Sequence, residues 1–389
     1  MLKKTIFIFS TAYFPFVGGA EVAIKEITDK IADYDFILFT AKIKRGLFNT
    51  EKIGNVLVYR LGFGLMIDKY FLPILAFFKF FTLHPTPYIQ HPVLWGMMAS
   101  YGSVAAYFIK LFKPTLPFLL TLQEGDSETH LKFGKFGFVG FFGKKIIKKA
   151  DYIQVISRYL KDFAEKRGAR SPILIIPNGV NLTKIKPQIS NLKNTNQNLK
   201  LKYNMKDDEK IIITTSRLVQ KNAVDILIKA AAELKNINSE LKFKLLILGD
   251  GKLKKVLEKL TADLGLKENV LFLGFIPQEE IYVYLGIADI FVRPSRSEGL
   301  GNSFLEAMAV RVPIIGTNVG GIPDFLKDKE TGLFCKVDDP RDLAEKIEML
   351  LSNNVLREKI IKNAEKLVRE KYDWNNISQE MKKIFLNLS

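Results

Sequence analysis

Along the first 180 residues, short runs of β-branched and aromatic residues alternate with stretches whose apolar positions recur at helical spacing. The short runs are KTIFIFS (4–10), DFILFTA (35–41), NVLVYRL (55–61), PYIQH (87–91), PFLLTLQ (117–123), YIQVIS (152–157) and ILIIP (173–177). Between several of them lie amphipathic stretches such as AEVAIKEITDKIAD (20–33) and SRYLKDFAEKRG (157–168). Apolar strands alternating with such helices predict a parallel sheet covered on both faces. After IPNGVNL the chain turns polar, rich in Asn and Lys and without periodicity, which predicts an inter-domain linker over 181–209. A second series follows: KIIITTSRL (210–218), FKLLILGD (243–250), NVLFLGF (269–275), DIFVRPS (289–295), VPIIGTN (312–318) and GLFCK (332–336). AVDILIKAAAELK (223–235) and KKVLEKLTADLG (254–265) supply helices between them, and the last residues are helical as well. The pattern predicts an α/β protein of two Rossmann-like doubly wound domains facing a cleft, over 1–180 and 210–370, with a C-terminal helix over 371–389.

Composition changes this picture little. A chain of 389 residues suits two cores better than one, and 48% hydrophobic content argues against disorder. Cys335, the one cysteine, excludes an intramolecular disulfide framework and fits a reducing cytosol. It sits in an alternating strand pattern, where buried core is the expected role. The opening MLKKTIFIFSTAYFPF has a basic start and an apolar run, but Pro15, Gly18 and Gly19 follow without a cleavage site, so it reads as a first strand.

Charge adds more. The net +17 is uneven: residues 1–190 hold 26 Lys and Arg against 13 Asp and Glu, and the remainder 32 against 28. The basic character peaks in LKFGKFGFVGFFGKKIIKKA (131–150), with six lysines, five phenylalanines and no acid. Aromatics beside lysines fit a surface that dips into anionic lipid headgroups. The plainer alternative is a solvated lysine face over a core helix. Residues 80–109 carry no Asp, Glu, Lys or Arg, yet Pro85, Pro87, Pro92 and two histidines argue against a membrane span.

In an open α/β sheet the informative residues follow the strands. Arg217 and Lys221 follow the first strand of the second domain, a fork and a mobile point charge that together suit a diphosphate. Gly249, in LGDG at the end of the next strand, permits close approach of a ligand to the backbone. The stretch SRSEGLGNSFLEAM (295–308) starts as a loop and ends as a helix. With Asn302 as cap and Ser303 opening the helix, Glu298 stays on the loop and Glu306 lies one turn in. The Gly299–Gly301 turn then offers backbone N–H groups at a helix start, where phosphate binds. Carboxylates beside an anion site need a purpose, and sugar hydroxyls supply one. One acid could hold a ribose and the other a transferable sugar, with Arg217 and Lys221 on the diphosphate between them. A sugar nucleotide has those parts in that order.

SRSEGLGNSFLEAMAVRVPIIGTNVGGIPDFL resembles the glutamate–seven–glutamate signature of the retaining glycosyltransferases of family 4, the group with the two-Rossmann GT-B fold. The resemblance extends to SRLVQKNAVDILIKAA, LLILGDGKLKKVLEKL, VLFLGFIPQEEI, ETGLFCKVDDPRDLAEKI and YDWNNIS, and in the first domain to YFPFVGGAEVAI and VISRYLKDF…IIPNGVNL. It is dense in the second domain and thin over 40–150. It implies that Glu306 holds the ribose hydroxyls, Glu298 a donor-sugar hydroxyl, and Arg217 and Lys221 the diphosphate as it leaves. By the same resemblance, the amides of Gly299, Leu300, Gly301, Asn302 and Ser303 line the sugar and phosphate, and Phe275 and Ile276 meet the base. Gly18 and Gly19 approach the diphosphate and acceptor, and the helix around Trp374 crosses back to the first domain.

Two departures stand out. Many relatives carry a histidine where this chain has Gln123, so either Gln123 donates in its stead or His91, Glu124 or Asp126 takes part on the acceptor side. The gap of four between Arg217 and Lys221 is also shorter than in many relatives. Retention of configuration would follow from same-face substitution, with the departing diphosphate taking the acceptor proton. No cofactor or metal is expected. The lone D-x-D, Asp33-Tyr34-Asp35, falls at a helix–strand junction, and the three histidines fit no zinc spacing.

The leading expectation is a cytoplasmic enzyme, peripheral on the inner face of the membrane. It would move a hexose from a UDP- or GDP-linked sugar to a lipid-linked or membrane-proximal glycan, and bind anionic lipid through 131–150. A soluble transferase acting on a small acceptor or a glucan is the second reading. A basic nucleic-acid- or membrane-binding protein without enzymatic activity is the third, and no nucleic acid is expected as partner because the paired acids oppose it.

Overall fold

A computed structural model describes residues 4–84, 90–123, 125, 138–185 and 192–388. The chain divides into two compact units: Met1–Asn178 with Trp374–Ser389, and Gly179–Asp373.

Unit 1 is built on an eight-stranded sheet in the order β3-β4-β2-β1-β5-β6-β7-β8. The strands are β1 (Lys4–Phe9), β2 (Tyr34–Ala41), β3 (Thr50–Ile53), β4 (Val56–Leu61), β5 (Gln90–Met97), β6 (Phe118–Leu122), β7 (Tyr152–Val155) and β8 (Ile173–Ile175). All neighbours pair in parallel except β3 with β4, a hairpin turned at Gly54-Asn55. Sequence pattern does not predict β3, whose alternation spans too few residues. The expected strand PYIQH is displaced: β5 begins at Gln90 and runs into the uncharged stretch through Val93, Leu94 and Trp95, all fully buried. A central strand covered on both faces needs no charge, so the run that resembles a membrane span is sheet followed by the helix Tyr101–Phe112. Among the described residues no helix is long and apolar enough to cross a membrane.

The helix Trp374–Leu388 belongs to unit 1. Its buried face joins the core of β1, β2 and β5, with the Phe385 ring 5.2 Å from Trp95 and 5.7 Å from Tyr34. Lys382 pairs with Asp33, so one acid of the D-x-D closes a helix contact.

Unit 2 holds six parallel strands in the order β11-β10-β9-β12-β13-β14. They are β9 (Lys210–Thr215), β10 (Phe243–Leu248), β11 (Val270–Gly274), β12 (Ile290–Arg293), β13 (Ile314–Thr317) and β14 (Leu333–Cys335). Numbered within the unit this order is 3-2-1-4-5-6, the doubly wound arrangement. It reverses direction between β9 and β12, so the loops leaving those two strands diverge and open a crevice at their C-terminal ends. Within the predicted linker, Leu192–Lys202 is a helix of unit 2, and 186–191 lie outside the described residues. It carries no strong apolar stripe, which is why periodicity misses it, and the following Tyr203 meets the Tyr284 hydroxyl at 3.2 Å.

Candidate active site

The loop leaving β9 carries Arg217, exposed, and Lys221, half-buried in the short helical turn Gln220–Asn222. Two backbone contacts shape this loop. The Asn222 side chain donates to the Arg217 carbonyl at 2.6 Å, and the Leu218 N–H donates to the Asp250 carbonyl at 2.9 Å. The glycine at 249 has a local cause: its φ is +139°, and a Cβ there would lie 1.8 Å from the Ser216 carbonyl oxygen. Packing of the β9 loop on the β10 loop therefore accounts for Gly249 without a ligand. The Ser216 hydroxyl beside it has no protein partner, an orphaned donor that suits a ligand oxygen.

The loop leaving β12 carries Glu298 and leads to the helix Asn302–Ala309. Here the cap expected at Asn302 is corrected by one position. Gly301 precedes the helix at φ +98°, a left-handed conformation that favours glycine, and no side chain caps the N-terminus. The first N–H groups thus remain for a ligand or solvent. Ser303 is buried in the first turn, and Glu306 follows one turn in, as expected.

Both acids are buried, Glu298 at 6% exposure and Glu306 at 9%, and they face different surroundings. Glu298 is ion-paired with Arg293, the last residue of β12, and accepts from the Ser295 hydroxyl at 3.0 Å. Glu306 meets the Gln278 amide only at 3.4 Å. Burial pushes its carboxyl up to about 7, against the opposing pull of Gln278 and the Arg293 charge. A carboxyl raised in this way can meet a ligand hydroxyl as acceptor when ionised or as donor when protonated.

Arg293 is the residue that sequence reading missed. Its guanidinium donates to Ser303 Oγ at 2.7 Å and to Asn222 Oδ1 at 3.1 Å while pairing with Glu298. One side chain thus ties the β9 loop, the β12 loop and the helix start together. A lone arginine closing an otherwise buried strand was the available signal. Arg296 makes a second tie: its N–H donates to the Lys221 carbonyl at 2.7 Å, and its side chain bridges Asp225 and Asp338 at 2.8 and 2.7 Å. Gly320 completes the frame at φ +55°, where a Cβ would lie 1.8 Å from the Glu298 carbonyl oxygen.

Phe275 and Ile276 follow β11, with the Phe275 ring 71% exposed. In unit 1, Gly18 precedes the helix Gly19–Lys30, and both Gly18 and Gly19 are exposed. Gln123 follows β6, and its side-chain carbonyl accepts from the Asn178 amide at 3.0 Å. His91 does not join these groups. It lies near the start of β5, next to the Gln90 that pairs with Lys4, roughly 20 Å of strand from the C-terminal ends. The acceptor candidates Glu124 and Asp126 lie outside the described residues, as does 131–137 of the basic aromatic stretch.

The constellation at the β9–β12 switch point offers two cations, free helix amides, an ion-paired acid and a second acid raised by burial. Residues 195–367 match the family described as glycosyl transferases group 1. Over its whole length the chain is 27% identical to an uncharacterized glycosyltransferase of Methanocaldococcus jannaschii, covering 100% of both. It is 31% identical over 197 residues to a GDP-mannose-dependent alpha-(1-6)-phosphatidylinositol monomannoside mannosyltransferase of Mycolicibacterium smegmatis, spanning 49% of this chain and 50% of that one. Among the relatives above 30% identity, several matches span about half of each protein's length. Sucrose-phosphate synthase from Thermosynechococcus elongatus superposes with a TM-score of 0.83 at 19% identity, covering 99% of both chains. HepE from Anabaena, in complex with UDP-glucose, superposes at 0.79 with 17% identity, covering 98% of this chain and 99% of its own. The fold is thus GT-B, and residues 195–367 match the group 1 glycosyltransferases, a family of transferase enzymes.

Proposed function

We propose that this enzyme moves a hexose from a nucleoside-diphosphate sugar to a lipid-linked or membrane-proximal glycan acceptor, with retention of anomeric configuration. The observation that carries the donor half is the buried pair Glu298 and Glu306 flanking a helix start at the switch point. Glu306 takes the ribose hydroxyls, and Glu298, held by Arg293, takes a hydroxyl of the donor sugar. The free amides of the helix start and the Arg217 and Lys221 side chains take the diphosphate. As the glycosidic bond lengthens, negative charge builds on the diphosphate, and fixed cations stabilise it most at that moment. The departing phosphate oxygen accepts the proton of the attacking hydroxyl on the same face, so no side-chain nucleophile is required.

A GDP-mannose-dependent relative acting on a phosphatidylinositol mannoside and a neighbour that binds UDP-glucose support this reading of donor and acceptor. The lysine-rich unit 1 supports work at an anionic membrane surface, which we assign to the cytoplasmic face. Gln123, Gly18 and Gly19 are the candidates in unit 1 for meeting the acceptor.

Thermal shift with UDP, GDP, ADP and CDP, on wild type and Glu306→Ala, tests the donor site. One nucleotide should stabilise the wild type by about 3 kcal/mol at a hundredfold excess over Kd and lose that effect in the variant. Equal shifts in both proteins, or none with any nucleotide, would overturn the assignment. The anomeric configuration of the product, read by proton NMR, tests retention.

A further inference from the structure

Unit 1 exposes several large apolar side chains together. Phe63, Leu65, Met66 and Ile67 project from the loop after β4, at 80, 42, 61 and 51% exposure. That loop is built rather than loose. The Asp68 carboxylate, fully buried, accepts from the N–H groups of Phe63, Gly64 and Leu65 at 2.8, 2.7 and 3.0 Å. Gly62 and Gly64 take φ of +120° and +88°, and a Cβ on Gly62 would strike Asp68. The clamp holds the loop's backbone polar groups inward while its apolar side chains point out.

The helix Asp68–Leu83 continues the surface. Phe71, Ile74 and Phe78 recur at spacings of three and four and are all about half exposed or more, whereas Leu72, Ala76 and Phe80 on the opposite side are fully buried. Phe112 extends the band from the next helix, its ring 5.2 Å from Phe77.

Charge identifies the occupant. The three helices Asp68–Leu83, Tyr101–Phe112 and Phe138–Lys149 contain seven lysines and a single acid, the buried Asp68. Lys144, Lys145 and Lys148 are exposed, and Lys145 Nζ lies 4.2 Å over the exposed Phe141 ring. Apolar side chains beside lysines without acids match a bilayer with anionic headgroups. A second copy of this chain would bring the same lysines to the contact without an acid to meet them.

We propose that the Gly62–Ile67 loop and the outward stripe of the following helix insert into the membrane interface, while the 144–148 lysines bind anionic headgroups. The site of insertion thus shifts from the expected 131–150 stretch to residues 63–78. This deepens the proposed function by naming how unit 1 meets the bilayer that holds the acceptor.

The test is co-sedimentation of the full chain with vesicles of phosphatidylcholine, alone or with about one-third phosphatidylglycerol, at moderate salt. Wild type should bind the anionic vesicles. Phe63→Ser/Met66→Ser/Phe71→Ser should lower partitioning at least about tenfold on them, because three large apolar side chains leave the interface. Lys144→Gln/Lys145→Gln/Lys148→Gln should lower it on anionic vesicles and make the remainder insensitive to salt. Wild-type partitioning in the triple serine variant would overturn the inference. So would a wild-type dimer that the serine variant converts to monomer without vesicles. Nucleotide thermal shifts on the same proteins separate the two ideas. Retained shifts with no vesicle binding remove the docking surface alone, whereas shifts absent from every protein remove the donor site.

Discussion

Replacing Arg293 by methionine keeps most of its volume and removes its charge. Glu298, whose side chain is 8% exposed, then keeps only the Ser295 hydroxyl among the partners described above. Removing one member of a buried ion pair costs about 3–5 kcal/mol, because the other is left as an uncompensated charge. Two further hydrogen bonds, to Ser303 and Asn222, disappear at about 1 kcal/mol each. Arg293→Met should therefore lose about 5–7 kcal/mol. Urea unfolding of wild type, Arg293→Met, Glu298→Gln and the double variant measures this. The double variant should recover part of the loss, since the unpaired charge is gone. A loss under about 1 kcal/mol, or a double variant no more stable than Arg293→Met, would refute the claim that Arg293 neutralises a buried Glu298. The arginine variant should also bind nucleotide weakly, because Asn222 and Ser303 no longer share an anchor.

Glu306 gives a pH signature. Its folded carboxyl sits near 7 against an ordinary 4.5, so the folded state holds the extra proton between those values. Stability of the wild type relative to Glu306→Gln should fall by on the order of 3 kcal/mol as pH rises through that window, measured by urea titration. Asp68→Ala removes the acceptor of three loop N–H groups and should cost about 3 kcal/mol, with faster hydrogen exchange confined first to residues 63–65. Gly320→Ala forces a Cβ against the Glu298 carbonyl at a positive φ, and calorimetry should show about 2–4 kcal/mol lost together with weaker nucleotide binding. Cys335, buried with its thiol pushed up to about 12, should resist alkylation by iodoacetamide until the protein unfolds.

Much of this molecule was legible before any coordinates. Strand and helix periods differ, so alternating segments reveal two sheets and most of their strands. An R-x-x-x-K after one strand and two acids after another mark the crevice, because doubly wound sheets bind ligands where strands end. The glutamate spacing also separates a loop acid from a helix acid. Periodicity assigns residues to faces, however, and says nothing about what each face meets. It does not reveal that Phe71, Ile74 and Phe78 of the helix Asp68–Leu83 lie together at the surface. It gives Leu192–Lys202 no shape, since that helix owes little to an apolar pattern of its own. His91 fails for a related reason: a residue's distance from a site depends on which end of its strand it occupies.

Chain order alone determined the two α/β halves, the candidate site's place after β9 and β12, and the likeness to group 1 glycosyltransferases. Tertiary structure decided the electrostatic roles within that site. Arg293, Asn222 and Ser303 meet only because β9 and β12, some 80 residues apart in the chain, lie side by side in the sheet. That meeting gives Glu298 a counter-charge and leaves Glu306 with little more than the cost of burial. Two glutamates alike in sequence thus meet different electrostatic surroundings because desolvation and pairing depend on neighbours that the fold, and not the local sequence, supplies.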